Sequence, residues 1–505
     1  MRTQAQSKQS QEKCAKMITE VLLLVFLAAL VIYYWQNSSD QKLPPGPFCL
    51  PIIGSIKQVM VADDARELHR KFGDVFRIKM ASITITFICN FKLAKEAFLK
   101  TECSDRPHYK SFHYLSDGRE AGVIFSNGQR WQNVRRFLLR NLRDLGMGKS
   151  YLDSAIQEEA VMLVNDFKKY DGKETPIPQS VNIAALNVIW QLVAGCRYDL
   201  NDEEIHTFIK LIKSLQEDTT AFMLPECFPI LNYLPGFLTR KLLRTDLIEE
   251  IKRKAFQLTG KTIESHKAKL DPNNPRDLID EYLLEMSKKS DIAAFFSEED
   301  LTRNIFDLFS AGFDTSSSML RWICLYMAAY PEVQQRVQRE IDNAVPRDKL
   351  PSHNEKSQLQ YLEAVIHEVL RISSLIPFSV GHYVTKDIEI GGYLLPKGTT
   401  FLGCSVICHE DPNYWQDPKQ FNPDRFLDND GKFVSQKEGF FPFGIGRRQC
   451  LGEALARMEM FIFSAALLQN FTFSPLPNKQ IDLQPDSIPF IQFAKDQDIV
   501  IAIRK

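Results

Sequence analysis

The sequence predicts a mainly helical α+β chain, on three observations. Residues 95–375 follow helical periodicity for most of their length, with breaks at Pro176–Pro178, Pro225–Pro235, Asn273–Pro275 and Pro331. On either side, Val75 to Cys89 and residues 378–404 alternate and are rich in β-branched residues, which reads as short strands with turns at Gly391-Gly392 and Lys397-Gly398. No linker divides residues 41–505, so they are read as a single domain that closes with a long helix from about 452 and a β-rich tail.

Composition narrows the partners. The chain has 62 Lys+Arg against 63 Asp+Glu, a balance that gives no footing for nucleic acid. Phenylalanine outnumbers tyrosine 35 to 15, which suits an apolar interior or an apolar ligand cavity. The 10 cysteines include no CxxC. Cys404, Cys408 and His409 lack the second ligand pair that a zinc site needs, so these cysteines are read as small buried apolar residues in a strand. Sparse, unpatterned cysteines fit a reducing compartment.

Residues 1–40 read as an N-terminal tail and membrane anchor. The run from Val21 to Trp35 carries no charge, is short of the roughly 20 residues of a spanning helix, and ends in Tyr33, Tyr34 and Trp35 as an interface belt. No small-x-small cleavage site follows, which favours an anchor over a signal peptide. Pro44, Pro45 and Pro47 then form a stiff hinge. Arg2, Lys8, Lys13 and Lys16 precede the run and only Lys42 closely follows it, so charge alone predicts a cytoplasmic N-terminus and a lumenal domain.

Three motifs carry chemistry. Phe440 to Glu459, FFPFGIGRRQCLGEALARME, is a glycine-bearing loop that delivers Cys450 to the start of a helix, where unpaired N–H groups favour a thiolate. Phe443, Gly446, Arg448, Cys450 and Gly452 set the pattern F-x-x-G-x-R-x-C-x-G. Glu368 and Arg371 share a helix face at i,i+3; taken alone they read as a surface ion pair. A long helix begins near Ser297, a natural N-cap, and places Leu301, Ile305, Leu308, Gly312, Thr315 and Met319 on one face. Within it, Ala311 and Gly312 precede an acid beside a hydroxyl, Asp314-Thr315; Gly312 is read as making room beside a ligand, against a plain reading of a solvated Asp and a back-bonding Thr.

Together these motifs resemble the cytochrome P450 family over nearly the whole chain, in particular its animal drug-metabolising and steroid-hydroxylating group, and Pro442 to Glu459 is similar to arthropod members. The resemblance implies the P450 fold, with heme b between the long central helix and the cysteine loop with its following helix. It implies Cys450 as axial ligand to the iron, and Phe443, Arg448, Trp131, Arg135, His382, Ala311 and Gly312 around the heme, with Arg106 as a further candidate. Thr315 would deliver protons to bound oxygen, and Asp314 would feed it. The Pro423-Asp424-Arg425-Phe426 element would close a buried network of Glu368, Arg371 and Arg425. Substrate-lining segments would fall near residues 104–122, 205–235, 308–315, 376–380 and 487–491, which hold Phe112, Phe222, Phe228, Phe378 and Phe490.

The activity so implied is monooxygenation of a small apolar xenobiotic, steroid or lipid-like substrate with O2. NADPH would supply electrons through cytochrome P450 reductase, with cytochrome b5 as a second partner. The protein would sit in the endoplasmic reticulum membrane with its catalytic domain in the cytosol, opposite to the charge rule. The alternatives are a heme-thiolate isomerase or dehydratase working without reductase, disfavoured by the acid–Thr pair, and a non-catalytic heme sensor or carrier.

Overall fold

The computed structural model describes residues 42–505 except 51, 56–60, 117, 146–149, 201, 218, 289–291 and 489, together with residues 17–21, 24, 25, 27 and 28. Most of the Val21–Trp35 run, and the basic residues before it, lie outside the described residues. No described helix is long and apolar enough to cross a membrane. The Phe222 side chain also lies outside the description.

Five helices position the site: Gly128–Asp144 (α1), Ser180–Ala194 (α2), Glu298–Ala329 (α3), Gln360–Ser373 (α4) and Glu453–Asn470 (α5). The long helix expected near Ser297 is α3. The Ser297 hydroxyl accepts the Asp300 N–H at 3.1 Å, and Glu298, Glu299 and Asp300 fill the positive first turn. The helix stops at Tyr330 because Pro331 follows. α2 is apolar on nearly every face and correspondingly buried on nearly every face, wedged between α3 and the helix Ser150–Phe167. The cores of α2, α3, α4 and α5 merge into one cluster that includes Leu186, Phe313, Val369 and Phe461.

One sheet flanks this bundle. Its strands Cys49–Leu50 (β1), Gly54–Ser55 (β2), Val75–Met80 (β3), Ile83–Ile88 (β4), His382–Tyr383 (β5) and Thr400–Gly403 (β6) run in the order β1-β2-β3-β4-β6-β5. The expected strand pair after the hinge is β3 and β4, antiparallel from Val75↔Ile88 to Met80↔Ile83. β4 and β6 pair in parallel, Ile85↔Thr400 to Ile88↔Gly403, so two segments over 300 residues apart meet. His382 sits opposite Phe401 across that sheet.

Two local expectations need correction. Helix Thr219–Cys227 runs through Pro225 instead of breaking there, since a proline in a helix costs one backbone hydrogen bond but does not always end it. Cys404 follows β6 as the N-cap of the short helix Ser405–His409, in which Cys408 lies, so only the burial of the pair, and not a shared strand, matches the sequence reading.

Candidate functional site

Cys450, Phe443, Arg448, Arg135, His382, Ala311, Gly312 and Thr315 converge on one cavity of about 380 Å³, walled by α3, by the cysteine loop with the start of α5, and by the chain from 375 to 382; Trp131, Asp314, Glu368, Arg371 and Arg425 lie outside its wall. That volume lies in the range of small-molecule sites, roughly 300–1,000 Å³. One wall is apolar, with Ile189, Leu308, Leu375, Ile376, Phe378 and Val380.

The cysteine loop is set by its backbone. Gly444 and Gly446 take φ of +76° and +80°. A Cβ on Gly446 would stand 2.3 Å from the Phe98 carbonyl oxygen, so only glycine fits there. The Cys450 N–H donates to the Phe443 carbonyl at 2.9 Å, and the Phe443 ring is capped by Arg457 at 4.8 Å. Cys450 opens onto the cavity. Burial pushes its thiol up, while the Gly452 N–H pulls the other way.

Three arginines line the cavity, and among the described residues none forms an ion pair. Arg106 donates from Nε to the Ile124 carbonyl (3.2 Å) and from Nη1 to those of Val380 and Gly381 (3.0 Å each). Arg448 donates to the carbonyls of Ser104 (2.8 Å) and Ser126 (2.7 Å). Arg135 donates from Nη2 to the Gln449 carbonyl at 2.5 Å. Burial, with Arg135 adding, draws Arg106 down to about 9; burial, with Arg106 adding, draws Arg448 down to about 8. Trp131 is not in the cavity wall. It braces Arg448, whose Cζ lies 3.7 Å from the ring centroid, and its indole Nε1 is buried without a hydrogen-bond acceptor. Crowded cations with carbonyl partners, beside an indole donor with none, fit an anionic group such as the carboxylates of a tetrapyrrole.

His382 lies in the cavity wall. Its Nδ1 donates to the Cys103 carbonyl at 2.7 Å, and burial, followed by Arg106, holds the ring well below the usual histidine range.

On α3, Ala311, Gly312, Thr315 and Ser316 face the cavity, and the Thr315 hydroxyl donates to the Ala311 carbonyl at 2.8 Å. Gly312 also lets two helices approach closely: a Cβ there would stand 2.8 Å from Ile189 Cδ1 of α2. Asp314 is buried and lies outside the cavity wall, within electrostatic reach of Arg321. The structure thus separates the two members of the acid–hydroxyl pair.

Behind the cysteine loop, Glu368 is fully buried. Arg371 grips it with two parallel bonds of 2.7 Å, and Arg425 and the Asn422 N–H reach it at 3.0 and 2.9 Å. Arg371 Nη1 also donates to the carbonyls of His409 and Pro418. The surface-pair reading of Glu368 and Arg371 fails here, because residues 409–425 cover them. Sequence reasoning missed Glu459 and Ser316, both buried and both in the cavity wall. Glu459 stood inside the quoted cysteine motif, yet nothing local signals a carboxyl facing inward.

The Cys404–Cys408–His409 group forms no ligand cluster among the described residues. The one group with close ligand atoms is His266, Asp277 and Asp280. There His266 donates from Nε2 to Asp277 and from Nδ1 to the Thr262 carbonyl, while Asp280 holds Arg276, so it is an internal ion-pair cluster.

Comparison with known proteins covers the same ground. The cytochrome P450 family model matches residues 44–497. Cytochrome P450 2L1 of Panulirus argus is 43% identical over 504 residues, spanning 97% of this chain and 100% of that protein. Cytochrome P450 2B4 of Oryctolagus cuniculus is 37% identical over 92% of this chain and 95% of its own length. Cytochrome P450 2J2 of Homo sapiens is 38% identical over 89% of each chain.

Proposed function

The chain belongs to the cytochrome P450 family and is a P450 monooxygenase, a heme-dependent oxidoreductase, and from that premise we propose how its own residues do the work. The observation that carries the reading is one cavity holding Cys450, three arginines without ion pairs and an apolar wall. Cys450 would ligate the iron; Arg448, Arg135 and Arg106 would take the propionates, with Trp131 as donor and brace; Phe443, Ala311 and Gly312 would bound the ring. Heme, when bound, supplies activation of molecular oxygen with two electrons, favoured by a thiolate ligand.

The remaining steps belong to the chain. Ile189, Leu308, Leu375 and Phe378 exclude water and orient an apolar substrate. Thr315 presents its hydroxyl oxygen to the cavity while its proton rests on the Ala311 carbonyl, a hydroxyl set to pass a proton rather than to store one. Glu368, Arg371 and Arg425 hold the cysteine loop from behind. A small apolar molecule is the substrate class, NADPH through cytochrome P450 reductase is the electron source, with cytochrome b5 as a second donor, and residues 1–40 anchor the protein in the endoplasmic reticulum with residues 41–505 as the cytosolic catalytic domain.

The test is reconstitution of the full chain with NADPH, reductase and candidate apolar compounds chosen by their binding spectra. Compound-dependent NADPH consumption with an oxygenated product supports the reading. Turnover of a peroxide without reductase, and none with it, would replace it by the isomerase.

A further inference from the structure

His409 ends the short helix Ser405–His409, is 1% exposed, and reaches the cavity wall together with Ser374 and Phe441. Both of its ring nitrogens have partners. The Phe441 N–H donates to Nε2 at 3.2 Å. A backbone N–H can only donate, so Nε2 carries no proton. Nδ1 lies 2.9 Å from Ser374 Oγ, and that hydroxyl directs its own proton to the Arg371 carbonyl at 2.8 Å. Nδ1 is therefore the donor to Ser374. The two ends agree on one tautomer, a neutral ring with its proton on Nδ1. Burial, followed by Arg371, acts in the same sense and draws the ring down to about 3.

The two partners belong to different parts of the scaffold. Ser374 caps α4 in left-handed backbone, with φ of +39°, three residues after Arg371. Arg371 also holds the His409 carbonyl at 2.7 Å. Phe441 opens the cysteine loop. Its carbonyl accepts the Gly444 N–H at 3.0 Å, and two residues on, the Phe443 carbonyl accepts the Cys450 N–H at 2.9 Å. Among the described residues, Glu368, Arg371 and Arg425 make no hydrogen bond to residues 440–452. Beyond one another, they bond the Asn422 N–H and carbonyls of residues 409, 416, 417, 418 and 420. Phe440 packs on Phe426 and Trp415, but such ring contacts fix direction less tightly than a hydrogen bond does. Among the described residues, the hydrogen-bonded link from the end of α4 to the loop is the His409 imidazole.

We propose that His409 is a positioning residue for the thiolate: its imidazole carries the fixed position of α4 across to the Phe441 N–H, and so sets where the loop presents Cys450. A side chain that only filled the volume would need neither nitrogen. This one is used at both ends, as donor to the scaffold and as acceptor from the loop. The inference rests on the heme–thiolate reading, whose failure would appear separately, as a parent protein lacking the red-shifted Soret band.

The experiment compares the full-length holoprotein with His409→Leu, His409→Asn and His409→Gln. Gln carries its amide at the ε position and offers Phe441 an acceptor; Asn carries its amide at the δ position and serves Ser374 alone; Leu serves neither. Two quantities are read: the iron–sulfur stretching frequency of the oxidised protein in resonance Raman spectra, and the rate at which the reduced, carbon-monoxide-bound protein loses its red-shifted Soret band. Melting temperature is the control. In Leu and Asn the stretch should shift, and the band should be lost about tenfold faster, the scale of one buried N–H left without an acceptor. Gln should restore both. Melting that falls alike in all three, with the parent's stretch and band lifetime, would mean a merely structural ring and overturn the proposal. Asn matching Gln would assign the ring to Ser374 and overturn it as well. Should Leu and Asn not retain heme, Gln decides: heme retained with the parent's stretch supports the proposal, and heme lost overturns it.

Discussion

Two groups of buried and half-buried arginines flank the cysteine loop, and their partners differ. Behind the loop, Arg371 and Arg425 share the carboxylate of Glu368, and the spare donors end on carbonyls of residues 409, 416, 418 and 420. In the cavity, Arg106, Arg135 and Arg448 have carbonyls alone, and burial draws the first and third far below the usual guanidinium range. Charge that the chain balances itself belongs to the scaffold. Charge that it gathers and leaves unbalanced belongs to a ligand, because desolvated cations so close together are costly until an anion joins them.

The comparison is broken most completely at its midpoint. Cys450→Ser should abolish the red-shifted Soret band of the reduced, carbon-monoxide-bound protein, whereas Cys404→Ser and Cys408→Ser, both deep in packing and away from the cavity, should keep it. A persistent band in Cys450→Ser would remove the thiolate from the account and the cavity arginines' reason with it.

The next effect separates the two groups. Glu368→Ala strands two buried guanidiniums and should cost about 3–5 kcal/mol, so little folded holoprotein should accumulate. Normal melting and heme content would show the scaffold group to be dispensable. Arg106→Gln should instead fold and lose heme faster: one charge-assisted hydrogen bond is worth about 1.5–3 kcal/mol, or roughly 10- to 100-fold in the rate of transfer to a heme acceptor. A variant that melts early yet holds heme as tightly as the parent would place Arg106 with the scaffold.

The smallest effect sharpens the rule at a third site. Burial acts against the charge of His266, but Asp277, the Thr262 carbonyl and Asp280 outweigh it and hold the imidazolium above its ordinary range. The stabilisation is therefore full below the ordinary histidine value and is lost as pH rises through the raised one. His266→Gln should flatten that part of the stability–pH curve in chemical denaturation, by about 1 kcal/mol or less in a half-screened pair; an unchanged slope would assign the titration to another group.

How much of this was readable in the sequence depended on whether the information was local. The cysteine loop was, because five positions within ten residues fix its turns and bring Cys450 to the cavity. The cap of α3 and the β3–β4 pair were, for the same reason. Glu368 and Arg371 could be paired but not buried, since their cover comes from residues 409–425. Helical periodicity put Gly312 on the cavity face, but nothing in α3 announces Ile189, which also stands against it. Asp314 and Thr315 look like partners when written side by side, yet adjacent residues on a helix point about 100° apart, as the 3.6-residue turn requires. Arg106 came within reach only through the family resemblance, since it collects carbonyls from residues 124, 380 and 381, and Glu459 was missed although it closes the quoted cysteine motif.

Arg448 gives this distance in sequence a thermodynamic meaning. Its guanidinium gathers carbonyls of residues 104, 123, 124 and 126, so one side chain of the C-terminal loop organises a segment laid down more than 300 residues earlier. An anion that settles on Arg448 therefore stabilises that distant segment along with the loop. Any ligand that binds the ordered state alone adds RT ln(1 + [L]/Kd) to its stability. For this chain the melting temperature is then a function of heme supply, and a cell short of heme would lose the protein by mass action before it lost the activity of any one molecule.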